Sequence, residues 1–160
     1  EAIIQAGSSA QDQFRRAYRA DEGLWLEASG APSRAEAPGD CVYEADPAAI
    51  RGHCLGGFGL ESLGDTPGWL TGAALDPSPW LTAFRVAWAG AWREANVHGF
   101  IKDQGAWLES VKTRGVKIEP SPILKRLRSG APHNQGPRLE LMLYSQGPKI
   151  KALLVERVRA

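Results

Sequence analysis

A chain of 160 residues with 43% apolar and 23% charged side chains is long enough for one domain with its own core, and 18 glycines with 11 prolines promise more loop than usual. No stretch approaches the ~18 consecutive apolar residues of a membrane-spanning helix, and the start of the chain has no basic segment followed by an apolar run. The net charge of +1 conceals a division, because five arginines face twelve acids through Asp76 while fourteen Lys and Arg face six acids from Pro77 onward; such asymmetry bears on partners and not on fold.

In chain order, residues 1–28 read as helical, with Ile3, Ile4, Phe14, Ala17, Tyr18, Leu24 and Leu26 as apolar positions, Ser9 as a cap and Gly23 as a stop. The segment 29–40 is built of Gly, Ala, Pro and Ser and reads as a surface loop. Residues 29–76 as a whole are acidic and loop-rich: a brief extended piece at Cys41–Tyr43, a short helix near Asp46-Pro47, and a glycine-rich run from Gly56 to Gly72 with Phe58, Leu60, Leu63, Trp69 and Leu70 tucked in.

Residues 80–96 carry the strongest expectation. Ser78-Pro79 looks like a helix start, and Leu81, Phe84, Trp88, Ala91, Trp92 and Ala95 recur at three and four residues, predicting a core helix with an aromatic stripe and Arg85, Arg93 and Glu94 in solvent. A second helix is expected after Asp103, through Trp107, Leu108 and Val111 to Gly115. Val116–Ile118 reads as extended, Pro122–Arg128 as a turn or two of helix with Lys125, Arg126 and Arg128 outward, and 129–137 as a loop. Leu139, Leu141 and Leu143 alternate as a strand, and Ser145-Gln146-Gly147-Pro148 turns the chain into a second strand over 150–158, for which a helix is the alternative.

The expected architecture is therefore a single α+β domain over 1–160: a helical core around the 80–96 helix, a C-terminal β-hairpin, and a winged-helix-like order of parts. The basic stretch from Lys112 to Arg159 points to an anionic partner, and Lys125, Arg126, Arg128, Arg138, Lys149 and Lys151 are the expected phosphate contacts of a nucleic-acid-binding module. The alternatives are a non-enzymatic interaction or assembly subunit that meets an acidic protein surface, with oligomers open to it, and a small cysteine hydrolase or nuclease.

For the hydrolase, Gly52-His53-Cys54-Leu55-Gly56 has the form of a nucleophile elbow, with His98 and His133 as further candidates, but Asp46 to Arg51 does not read as the buried strand such an elbow follows. Cys41, His53, Cys54, His98 and His133 show no metal-ligand spacing, and Gly56-Gly57-Phe58-Gly59 lacks the Lys-Ser/Thr of a phosphate loop, so neither metal nor cofactor is expected. Glu1 in place of Met marks a processed chain or a stretch of a longer one. Two cysteines leave the compartment open, with the cytoplasm favoured and no membrane association expected.

Overall fold

The computed structural model describes residues 2–6, 14–74, 76–129 and 136–159. Ten strands and three α-helices form among them: β1 (Ala2–Ala6), β2 (Phe14–Arg19), β3 (Leu24–Ser29), β4 (Cys41–Ala45), α1 (Pro47–Arg51), β5 (Glu61–Ser62), β6 (Trp69–Gly72), β7 (Leu81–Ala91), α2 (Glu94–Asp103), β8 (Trp107–Arg114), α3 (Pro120–Arg128), β9 (Arg138–Gln146) and β10 (Lys149–Arg157). The strands make a three-stranded sheet, β1-β2-β3, and a seven-stranded mixed sheet, β5-β6-β4-β7-β10-β9-β8. This overturns the expected helical core with a terminal hairpin. The protein is mostly β, and β9 and β10 lie inside the large sheet, not in a wing.

The largest correction falls on residues 80–96. Leu81–Ala91 is a strand, in which burial from Phe84 onward follows a period of two, with Val86, Trp88 and Gly90 more covered than Arg85, Ala87, Ala89 and Ala91. Thr82, Phe84, Val86 and Trp88 are β-branched or aromatic at alternate positions, the composition a pleated surface favours. A bulge at Ala87 moves Trp88 to the helix-covered face while Phe84 and Val86 stay on the other, so the three- and four-residue spacing of Phe84, Trp88 and Ala91 marks no single face. Ser78 does accept from a backbone amide, that of Trp80 at 3.2 Å, but it closes a turn into a strand.

Two further stretches reverse the expectation. The expected helix after Asp103 is strand β8, and residues 1–28, expected to be helical, hold β1 and the antiparallel hairpin β2–β3, turned at Gly23 with φ +64°. Ser9, offered as a cap, lies outside the described residues. The short helix at Asp46-Pro47 does form as α1, and the Asp46 carboxylate accepts from the Ala48 amide at 2.9 Å.

The chain divides into two compact units. The first comprises Glu1–Leu63 and Pro67–Ala83, with five Arg against eleven acids. Its three-stranded sheet turns Ala17, Ala28, Leu24 and Leu26 onto Ala48, Ala49, Cys54, Leu55, Tyr43 and Trp80. The opposite side of that sheet carries Arg16, Tyr18, Trp25 and Glu27: the Tyr18 and Trp25 rings are 4.6 Å apart, and Arg16 lies 4.5 Å over Trp25 and 2.9 Å from Glu27.

The second unit comprises Gly64–Thr66 and Phe84–Ala160, with fourteen Lys and Arg against seven acids. The charge division seen in the sequence thus falls close to the division between the two compact units. In the second, β7, β8 and β9 run parallel and β10 runs against them. Helices α2 and α3 cover one face: Val97, Ile101, Ile123 and Leu127 pack on Leu108, Val111, Leu139, Leu141, Leu143, Ala152 and Leu154. The register places Ser110, Lys112, Glu140, Met142, Leu153, Val155, Arg157 and Phe84 on the other.

The turn between β9 and β10 has two central residues, Gly147 and Pro148, and Gly147 takes the positive φ (+59°) that such tight hairpins demand. Asp65 holds it from outside: its carboxylate accepts from the Gly147 amide at 2.7 Å, and its own amide donates to the Ser145 carbonyl at 2.9 Å.

Leu141 is fully buried between both helices and both flanking strands of this unit. Leu141→Ala is expected to cost ~2–5 kcal/mol through lost transfer energy and the cavity left behind. Urea unfolding should show a lower midpoint at unchanged slope; an unchanged midpoint would contradict the packing described.

Candidate functional site

The seven-stranded sheet brings together four chain segments that the sequence keeps apart. At the end of the second unit where β7, β8 and β9 begin and β10 finishes, Arg85, Glu109, Gly136, Pro137, Arg138, Glu156, Arg157, Val158 and Arg159 line an open cleft of about 530 Å³. Four arginines meet two glutamates there, so cations exceed carboxylates by two. The cleft is tied together: Glu109 receives Arg138 at 3.0 Å and Arg159 at 3.6 Å. Arg85 pairs in register with Glu156 across β7 and β10. At the floor the backbone is tight, since a Cβ on Gly136 would sit 1.8 Å from the Gly105 carbonyl oxygen, which only glycine avoids.

Arg157 is oriented from within the sheet. Its Nε and Nη2 each donate to Glu140 at 3.1 Å in a forked pair, and its guanidinium lies 5.3 Å from the Phe84 ring. Glu140 is 4% exposed, and it also accepts from Ser110 Oγ at 2.8 Å, with Lys112 Nζ at 4.0 Å. Burial by itself pushes this carboxyl's pKa up, but the hydrogen bonds from Arg157 and Ser110 and the charges of Arg157 and Lys112 outweigh it and hold the pKa below the usual carboxylate range. The side chain is a permanent anion at neutral pH. On the same strand and face, burial pushes the Tyr144 hydroxyl up to about 12, so it stays neutral.

The six residues expected to meet phosphates do not form one surface. Arg138 opens β9 and Lys149 opens β10 after the turn, so roughly 27 Å of strand at ~3.4 Å per residue separates them. Lys151 sits beside Lys149 at that far end. Lys125 is exposed on α3, next to a shallow depression lined by Ser121, Leu124, Lys125, Arg128 and Ser129. Arg126 is paired with Glu94 at 2.8 Å. Arg128 is a structural residue: it donates to the Leu108 and Glu109 carbonyls at 2.8 and 3.0 Å, and its guanidinium stacks 4.5 Å over Trp107.

Helix α3 is therefore packed along β8 and is no recognition helix. The fold gives no support to a winged helix or to nucleic-acid binding. Of the six expected residues, only Arg138 reaches the cleft. Arg85, Glu109, Glu156, Arg157 and Arg159 were missed as site residues; Arg85 had been assigned to solvent off a helix that does not exist.

The cysteine constellation is not assembled for nucleophilic chemistry. Cys54 follows helix α1 and precedes a 3-10 turn (Leu55–Phe58), so no strand leads into it, and the positive φ of the motif (+54°) falls on His53 and not on the cysteine. The thiol is fully buried and donates to the Gly52 carbonyl at 3.3 Å. Burial pushes its pKa up, with Arg15 opposing in part, the reverse of what an attacking thiolate needs. His53 is exposed in the turn and His98 exposed on α2, while His133 lies outside the described residues. Cys41 and Cys54 are free thiols, and no group of three or more His, Cys, Asp or Glu is placed to hold a metal among the described residues.

Two outcomes test this account. Native protein should react with iodoacetamide at Cys54 at least ~10-fold more slowly than the urea-unfolded chain, read by mass spectrometry, and equal rates would reopen the catalytic reading. For Glu140, the folded pKa lies below the unfolded value of ~4.3, so its contribution is complete above that pH and is lost as pH falls through the folded pKa. Glu140→Gln should lower stability by ~1–3 kcal/mol at pH 7 and should lose less further stability than the native chain between pH 5 and pH 3, as followed by urea midpoints.

No protein-family model matches the chain, and no curated protein matches it. Among solved structures, one described as "putative methyltransferase from Porphyromonas gingivalis W83" matches with a TM-score of 0.57 at 16% identity, over 85% of this chain and 35% of that one. This chain spans about a third of that protein's length, and the likeness is one of fold.

Proposed function

We propose that this chain is a non-enzymatic protein-interaction module whose basic unit docks an acidic surface of a partner protein, with the arginine cleft as the point of contact. One observation carries the reading: Arg85, Arg138, Arg157 and Arg159, from three strands and the tail of the last, converge on a single open cleft with a surplus of two positive charges. Arginine suits this role because its planar fork binds carboxylates two bonds at a time and is less strongly hydrated than an ammonium. Electrostatic complementarity of this kind speeds association and fixes register, and it discriminates against basic surfaces.

The methyl transfer suggested by the neighbour's name is not carried over. The cleft lies at the end where β7, β8 and β9 start, whereas open α/β sheets bind their ligands outside the carboxyl ends of their strands. The Cys54 thiol donates to the Gly52 and Leu26 carbonyls, not to a general base.

A fluorescein-labelled peptide of six Asp and Glu residues flanking one serine should bind in anisotropy titrations at ~50 mM salt and weaken severalfold by ~300 mM, as charged contacts do when screened. Arg138→Ala combined with Arg159→Ala should weaken it further, and Lys125→Ala should not. Binding that is indifferent to the arginine pair, or absent at low salt, sinks the proposal.

A further inference from the structure

The cleft has a feature that a simple carboxylate patch does not need. Its two glutamates are not incidental, because Glu109 already engages Arg138 and Arg159, and Glu156 stands in register beside Arg85. They subtract two charges from four, and Glu109 holds the Arg138 and Arg159 guanidinium groups in place. Arg157 also faces the buried Glu140, which Lys112 approaches as well. With Glu140 and Lys112 counted, five cations stand against three carboxylates and a surplus of two remains, with Arg138, Arg157 and Arg159 already oriented by their partners. Arg157 in particular is aimed by a forked pair to the buried carboxylate of Glu140, which Ser110 and Lys112 hold in turn. An isolated carboxylate carries one negative charge and two acceptor oxygens. A phosphoryl monoester carries about −1.5 to −2 at neutral pH and three acceptor oxygens, which match a surplus of two spread over several forks.

We propose that the cleft recognises a phosphorylated serine or threonine side chain within the acidic partner segment, the neighbouring Asp and Glu of that segment adding only nonspecific attraction. The inference rests on the protein-interaction reading above and sharpens it by naming the group that is bound. The volume of about 530 Å³ and the open mouth leave room for the main chain on either side of the phosphoryl group. Arg85 and Arg159 are exposed and supply the contacts that can be removed without disturbing the core. Arg157 is a positioning as well as a binding group, and its removal would strand the buried Glu140, so it is a poor first test.

The experiment compares three labelled peptides on the native chain by anisotropy at ~150 mM salt: the acidic peptide with serine, the same peptide with phosphoserine, and the same with glutamate in that place. Phosphoserine is expected to bind at least ~10-fold more tightly than either of the others. Arg85→Ala and Arg159→Ala should each erase most of that advantage, whereas Lys149→Ala, outside the cleft, should leave it intact. Far-UV circular dichroism checks that each variant is folded.

Equal binding of all three peptides overturns the phosphoryl inference while the interaction reading stands. No binding of any of them overturns both. Competition by inorganic phosphate or phenyl phosphate as effective as that by the unlabelled phosphopeptide also overturns the inference, because the site would then be one for a free phosphate monoester. Equal competition by a phosphodiester overturns it too, since a single negative charge would suffice.

Discussion

The second unit depends on a carboxylate placed where carboxylates are costly. Glu140 sits in β9 with strands on both sides, and a lone anion there would face a desolvation penalty of several kcal/mol. The forked pair with Arg157, the Ser110 hydroxyl and the Lys112 ammonium offset that cost. Because these partners come from β10 and β8, the ion cluster fixes the relative register of three strands as apolar residues cannot. It also gives Arg157 one orientation at the mouth of the cleft. Fold and site are therefore joined through one side chain.

The cations of the basic unit sort into three roles. Arg128 satisfies backbone carbonyls and covers Trp107; Arg126 makes an exposed pair with Glu94 of the kind worth little to stability. The cleft arginines share Glu109 and Glu140 and keep a surplus. Counting Lys and Arg along the chain merges these roles, although among Arg126, Arg128 and the cleft arginines only the last gather at one place with charge in excess of their partners. The concentration of positive charge in residues 112–159 was therefore a correct sign of polarity and a poor guide to which residues use it.

How much of this was legible in the sequence varies with the kind of signal. The alternation of Leu139, Leu141 and Leu143, the Gly147-Pro148 turn and the Asp46 cap are local, and local chemistry decided them. Residues 81–91 went astray because Leu81, Phe84, Trp88 and Ala91 are spaced as a helical stripe would be, whereas a bulge at Ala87 sends Phe84 and Trp88 to opposite faces of a strand, a long-range feature set by pairing with β10. Helix α2 was hidden for a different reason: only Val97, Phe100 and Ile101 are large and apolar in it, and Asn96 and Gly99 weaken its propensity. The cleft had no linear signal, since residues 85, 109, 138 and 157 to 159 meet only once β7, β10, β9 and β8 have taken their order in the sheet.

Arg128 has a consequence for how the molecule behaves among its own copies. β8 is the last strand of the seven-stranded sheet, and such a strand offers unpaired carbonyls on which a foreign strand can assemble. The Arg128 guanidinium takes two of them, at Leu108 and Glu109, and lies flat on the neighbouring indole. Further along, β8 carries Lys112 and Arg114, charges that a second strand laid alongside would have to bury. At this border two carbonyls that a foreign strand would use are already taken, and they are taken by a charge, so the first residues of β8 are poor ground for strand exchange.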